Sequence, residues 1–255
     1  MTDTGQYADE EVRQSARNWN FDAYLAATLA PKLIRHDLIA IAAFIGELER
    51  IRHVVSEPAL AQIRIQWWRD ELQKIRSREA SEHPIGQALA VAIDRYDLPV
   101  PLLIGMADAV FDRVSDARFP DDHALNTWIT KRYAAPIDLA VRCLNIDPST
   151  VRTVIDDAAR AYGRARLLCE THAEVGASVG HVIQKTRETL IEEADVACCN
   201  VAASSAQWPR RQRSVFLPVA LVSDYIAAAR SPDTPEPTPF QKVRRMAWAH
   251  WIAGL

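Results

Sequence analysis

The 255 residues carry a formal net charge of -3, with 49% hydrophobic and 25% charged residues, the balance of a globular protein with ample apolar material for a core. That charge argues against sequence-independent nucleic-acid binding, which relies on excess positive charge. Eight glycines are too few for tight-turned all-β architectures, and no glycine-rich phosphate loop of the GxGxxG or GxxxxGK(S/T) kind occurs.

In chain order, residues 1–20 are polar and read as a flexible lead-in, with a short helix around Glu10–Arg17. Phe21–Leu29 reads as a helix ended by Pro31, which can open the next one. From Lys32 to about His53 the period is strongly helical, with Ile34, Leu38, Ile41, Ile45 and Leu48 in one stripe. Extending that stripe one turn lands on Arg52, with Glu49 on its flank. Ser56-Glu57-Pro58 starts a helix over Ala59–Ile75, in which Leu60, Ile63, Trp67, Trp68, Leu72 and Ile75 form a broad apolar face. Arg64 falls in the middle of that face, where a guanidinium must find a carboxylate, a backbone carbonyl or an anionic ligand.

Arg76–His83 reads as a loop, and Pro84–Arg95 and Pro101–Arg118 as helices. Phe119-Pro120-Asp121-Asp122 caps a helix running to Leu144, with Pro136 as a kink. Long helices follow over Thr150–Glu174 and Ser178–Cys199. Ala202–Arg213 is a basic turn, and Ser214–Arg230 a further helical run whose Ser214–Pro218 is the sole strand candidate. A proline-rich connector over Ser231–Pro239 precedes the last helix, Phe240–Gly254. The fold class is all-α, a bundle over residues 21–255 as one domain.

The four cysteines, Cys143, Cys169, Cys198 and Cys199, show no CxxC spacing and read as reduced and buried, in a cytoplasmic protein. The N-terminus carries no basic apolar secretion signal. The longest apolar run, Leu38–Gly46, falls far short of the roughly 20 residues a bilayer span needs.

Three runs are specific: Phe21-Asp-Ala-Tyr-Leu-Ala-Ala-Thr-Leu-Ala-Pro31, Ala43-Phe-Ile-Gly-Glu-Leu-Glu-Arg-Ile-Arg52, and Ile63-Arg-Ile-Gln-Trp-Trp-Arg69 within 56–72. They resemble the squalene/phytoene synthase family, and the likeness extends in order and spacing over most of 21–255. The resemblance implies an isoprenoid-synthase-type helical bundle around a central cavity, and head-to-head joining of two prenyl diphosphates. It also implies two DxxxD pairs on facing helices that hold Mg²⁺; carboxylates at i and i+4 share a face and suit that hard cation.

By that resemblance the first pair falls on Leu48 and Arg52, neither a metal ligand, and the second on Glu170 and Glu174, where carboxylates persist. A guanidinium about 8 Å from a divalent ion costs on the order of 4 kcal/mol at an effective dielectric of 20. The chain is closer to a divergent branch with lost aspartate pairs, similar to a mitochondrial assembly factor for respiratory complex I. That branch implies a non-catalytic role in respiratory-complex assembly or prenyl-lipid binding, with a respiratory subunit as partner and no resident cofactor. The alternatives are an active Mg²⁺-dependent prenyltransferase working through Glu170 and Glu174, and a helical scaffold without a small ligand. No catalytic residue is assigned.

Glu49, Arg52, Arg64, Trp67 and Trp68 are the pocket or diphosphate candidates, against the simpler reading of an internal salt bridge to Glu49 or Asp37. Glu170 and Glu174 are the metal candidates, against a solvated face paired with Arg166. His172 and His181 lack metal-ligand spacing. Asp108 and Asp112 form the intact DxxxD, read as capping or as pairing with Arg113 or Arg118. Residues 240–255 set Phe240, Val243, Trp248 and Trp251 beside Lys242, Arg244 and Arg245. That pattern suits peripheral contact with the inner face of a membrane; packing on the bundle is the other reading.

Overall fold

The computed structural model describes residues 3–55, 57–114, 119–173, 187–206, 208–231 and 234–253, and among these no strand occurs. Contacts divide the chain into two compact units, Met1–Ala117 with Leu139–Ile146, and Arg118–Asp138 with Asp147–Leu255.

In the first unit, α1 (Asp3–Trp19) replaces the expected lead-in. Val12 and Ala16 are buried, and the helix lies so close to α3 (Lys32–Val54) that a Cβ on Gly46 would sit 3.0 Å from the Ser15 carbonyl oxygen. The period of apolar residues had shown only that α1 is polar on average; its narrow buried stripe is what docks it. Between them, α2 (Phe21–Leu29) ends before Pro31 as expected. Helix α3 is central: from Asp37 to Gly46 every residue is buried, as befits a helix covered on all sides.

Helix α4 (Pro58–Arg76) has proline in its first turn, where a missing N–H costs nothing. It buries Ala61, Ile65, Trp68, Leu72 and Ile75, spaced four and three residues apart. Leu60, Ile63 and Trp67 are exposed, Ile63 by 64% and Trp67 by 43%, and Arg64 faces solvent with them. The expectation that Arg64 intrudes on the core face is therefore corrected. Two neighbouring apolar stripes run along α4, and only the stripe containing Trp68 meets the core. Helices α5 (Pro84–Tyr96) and α6 (Val100–Val114) complete the unit. His83 caps α5, its Nδ1 accepting from the Ile85 N–H at 3.2 Å.

In the second unit, α7 (Asp122–Ile129) passes through a π turn at Thr130–Ala134 into α8 (Ala135–Cys143); the last residues of α8, from Leu139, belong to the first unit. The expected irregularity at Pro136 thus appears one turn earlier. Pro136 has no N–H to give, and the wider turn lets the Ala135 N–H reach the Thr130 carbonyl. Helix α9 (Arg152–Ala173) is the axis of this unit, burying Ile155, Ala158, Ala159, Ala161, Ala165 and Leu168. Its alanines let α10 (Arg187–Ser205) and α11 (Val222–Arg230) pack closely. Ser214–Pro218, the strand candidate, lies in a 3-10 run over Gln212–Leu221. Helix α12 (Pro239–Trp248) opens with a Thr238/Gln241 capping box and continues as a π turn to Ala253.

Candidate functional site

The end of α3 runs Glu47-Leu48-Glu49-Arg50-Ile51-Arg52, and successive residues point about 100° apart. Leu48 is fully buried. Arg52 donates from Nη1 to Glu49 Oε2 at 3.2 Å, their side chains 9% and 11% exposed. These are the positions at which the sequence resemblance led us to expect the first metal-binding pair. Leucine offers no donor atom, and the guanidinium repels a cation while engaging the adjacent carboxylate. The residues present do not fit Mg²⁺ there.

A different face of α3 meets α4. Glu47, Arg50 and Ile51 line a half-open groove with Arg64, Trp67, Trp68 and His83, about 250 Å³ in volume. Glu47 accepts from Ser15 Oγ at 2.8 Å and pairs with Arg50 at 3.2 Å, so Arg50 is half-neutralised. Arg64 makes no hydrogen bond or ion pair among the described residues. Trp67, Trp68 and His83 form an edge-to-face cluster with centroids 4.9 to 5.5 Å apart, and Phe44 braces Trp68 from the core at 5.2 Å. The groove therefore offers one uncompensated guanidinium beside an aromatic wall, a recognition surface for an anion carried on an apolar group.

Of the five pocket candidates, the structure brings Arg64, Trp67 and Trp68 to this groove and pairs Glu49 with Arg52 on another face. The suggested salt bridge joining Arg64 to Glu49 or Asp37 does not form. Arg50, Glu47 and His83 were missed; Glu47 and Arg50 three residues apart, and a histidine directly before Pro84, were the available signals. Asp108 pairs with Arg69 of α4 at 2.5 Å; the Arg113 side chain and Arg118, the expected partners, lie outside the described residues. Arg69 also lies over the Phe111 ring.

Asp37, wholly buried, accepts from Arg95 at 2.7 Å and from the Tyr96 hydroxyl at 3.1 Å. Burial and then the Asp37 charge push the neighbouring Cys143 thiol up to about 12, so Cys143 is an inert thiol. This cluster ties α5 to α3, with the Arg95 side chain half-exposed at its edge. Cys143 and Cys169 are buried as expected, whereas Cys198 is half-buried and Cys199 exposed, which corrects the reading of all four as buried.

Glu174 and His181 lie outside the described residues, as do the side chains of Glu170 and His172. Arg166, the suggested partner of Glu170, pairs with Glu236 at 3.3 Å and covers the Tyr225 ring. Among the described residues no three His, Cys, Asp or Glu side chains gather closely enough to hold a metal, and no helix is long and apolar enough to cross a membrane.

Comparison with known proteins gives the same family that the sequence runs resemble. The squalene/phytoene synthase family model matches residues 16–173. NADH dehydrogenase (ubiquinone) complex I, assembly factor 6 of Bos taurus is 25% identical over 158 residues, 62% of this chain and 46% of that protein. The Homo sapiens protein of the same name is 23% identical over 158 residues, with the same coverage. The chain spans about half the length of these curated relatives. Among solved structures, squalene synthase HpnC from Alicyclobacillus acidocaldarius aligns with a TM-score of 0.67 at 15% identity, over 90% of this chain and 95% of that one. A dehydrosqualene synthase in complex with ligand aligns at 0.72 and 12% identity, over 96% and 95%. The architecture is the isoprenoid-synthase helical fold, and the chain belongs to the squalene/phytoene synthase family.

Proposed function

We propose that this protein has given up head-to-head prenyl transfer and serves the assembly of a respiratory complex, holding a prenyl diphosphate or prenyl lipid without turnover. The observation that carries this reading is the Arg52–Glu49 pair beside buried Leu48. Ionising an allylic diphosphate requires cations to neutralise the departing group, and this end of α3 now repels them. The role in assembly is supported by the likeness to complex I assembly factor 6. The ligand's head is assigned to Arg64, with Arg50 close by, and its chain to the exposed apolar strip Leu60, Ile63 and Trp67. The protein works at the cytoplasmic face of the membrane, touching it through residues 240–255, and its partner is a respiratory subunit.

The test is incubation of the full chain with farnesyl or geranylgeranyl diphosphate and Mg²⁺. The expected result is no pyrophosphate release, together with a ligand-dependent rise in melting temperature that Arg64→Ala abolishes. Occupancy at a hundredfold excess over Kd stabilises by about 2.7 kcal/mol, easily read in a melt. Turnover would overturn the proposal and favour the prenyltransferase. Copurification with respiratory subunits but no ligand shift would remove the lipid and leave a scaffold.

A further inference from the structure

The second unit ends on an exposed apolar face that its own core does not use. Over α12 and the π turn behind it, Met246, Ala249 and His250 turn inward. Phe240 (75% exposed), Trp251 (60%) and Ile252 (71%) face solvent, as do Val243 and Trp248. Burying Trp and Phe at an aqueous surface is unfavourable to leave undone, and a run of them on a short amphipathic helix calls for a partner.

The charges say which partner. The chain as a whole is acidic, yet residues 206–255 hold seven Lys or Arg against three Asp or Glu. Some of these cations are spoken for: Arg245 bonds the Ala220 carbonyl, Ser223 and Asp224, which clamps α12 onto the 3-10 run and α11. Lys242 lies over the Tyr225 ring. Arg210, Arg211 and Arg244 are exposed and make no ion pair among the described residues. The 3-10 run that directly follows Arg211 packs against α12 and its π turn, and Arg210 helps, after burial, to hold the His250 pKa down.

We infer that α12 with its π turn, flanked by Arg210, Arg211 and Arg244, is a docking surface for an anionic lipid bilayer. The aromatic side chains enter the headgroup boundary, where tryptophan is favoured, and the arginines meet lipid phosphates. This deepens the membrane contact proposed above by naming the lipid charge and the residues that read it. A protein partner would have to match both the basic rim and the aromatic strip; an anionic headgroup layer does so without further shape.

The experiment is flotation of the full chain with vesicles of phosphatidylcholine alone or mixed with phosphatidylglycerol, at low and high salt, following tryptophan emission. Binding should require phosphatidylglycerol, shift emission to the blue and weaken with salt. Trp248→Ala with Trp251→Ala should lower affinity on the order of tenfold. Replacing Arg210, Arg211 and Arg244 by Ala should cost on the order of fivefold each at low salt. No vesicle binding, as a purely protein-facing surface would give, overturns the inference. So does binding that ignores lipid charge and salt. The wild-type salt and lipid dependence decides the matter even if a variant misfolds. Prenyl-diphosphate melting shifts on the same proteins are a separate readout: their loss with vesicle binding intact would sink the ligand-holding function alone.

Discussion

Arg52 and Glu49 allow a direct test of whether a structural ion pair has taken the place of a metal site. At 3.2 Å and an effective dielectric of about 20, their attraction is about 5 kcal/mol. Removing two charges from water offsets most of that, because both side chains are about nine-tenths buried. A double-mutant cycle with Arg52→Ala, Glu49→Ala and the double variant should therefore show a coupling of about 1–3 kcal/mol in urea melts. Arg52→Ala alone should cost about 3 kcal/mol or more, since it removes the cation paired with a buried carboxylate. Mg²⁺ should leave the wild-type melt unmoved through this site. A coupling below about 0.5 kcal/mol would refute the reasoning. It would mean that the guanidinium is free to swing away and admit a cation.

Other expectations concern the fabric around the sites. Gly163→Ala puts a Cβ 2.7 Å from Tyr133 Cδ2, on a ring already wedged between Trp128 and Tyr162. The helix gains about 1 kcal/mol and overpacking costs about 1–3, so thermal melts should show a net loss. The Cys143 thiol is raised from 9.0 to about 12 on folding. Its proton is held more tightly by the folded chain, so stability should fall as pH rises from 9.0 toward about 12, by up to about 1.4 kcal/mol per unit. Cys143→Ala should flatten that alkaline arm in pH-dependent urea melts. His250 has the opposite sign. Burial, then Arg210, lowers its pKa below 6.5, so stability is lost as pH falls below 6.5 and the unfolded ring takes a proton alone. His250→Phe should remove that part of the acid sensitivity.

Helix positions were legible because apolar periodicity and proline placement agree: Pro31, Pro58 and Pro84 each open a helix where the sequence says they should. What periodicity could not decide was which of two neighbouring stripes on α4 meets the core. Leu60-Ile63-Trp67 and Ala61-Ile65-Trp68 are equally helical; the difference lies in what packs opposite, with Phe44 meeting Trp68. Arg64 was accordingly placed inside when it stands outside. Of the groove's lining, Arg64, Trp67 and Trp68 were legible in the sequence, and its geometry was not. The groove needs Arg50 and His83, which come from α3 and the cap of α5 and share no sequence pattern with Arg64. The buried Asp37 likewise finds Arg95 and Tyr96 across 58 and 59 positions, a distance over which charge patterns carry no signal.

On the proposed function, Leu48 is a change that would abandon the family's chemistry and lose nothing in stability. A carboxylate facing a metal is a poor core residue: without the cation it must be hydrated or protonated, and a second one nearby makes matters worse. A leucine at the same place is fully buried in the central helix of the first unit and contributes about 1.5–3 kcal/mol. On that proposal, a change from acid to leucine at this site would move toward stability, the usual direction once activity is no longer required. The reverse step should be severe. Leu48→Asp forfeits the burial and sets a carboxylate beside Glu49 in a site whose cation, Arg52, is already engaged. The expected loss in urea melts is about 4 kcal/mol or more, and added Mg²⁺ should not recover it. If Leu48→Asp were tolerated to within about 1 kcal/mol, water must reach that end of α3 freely, and a metal site could be rebuilt there with little effort.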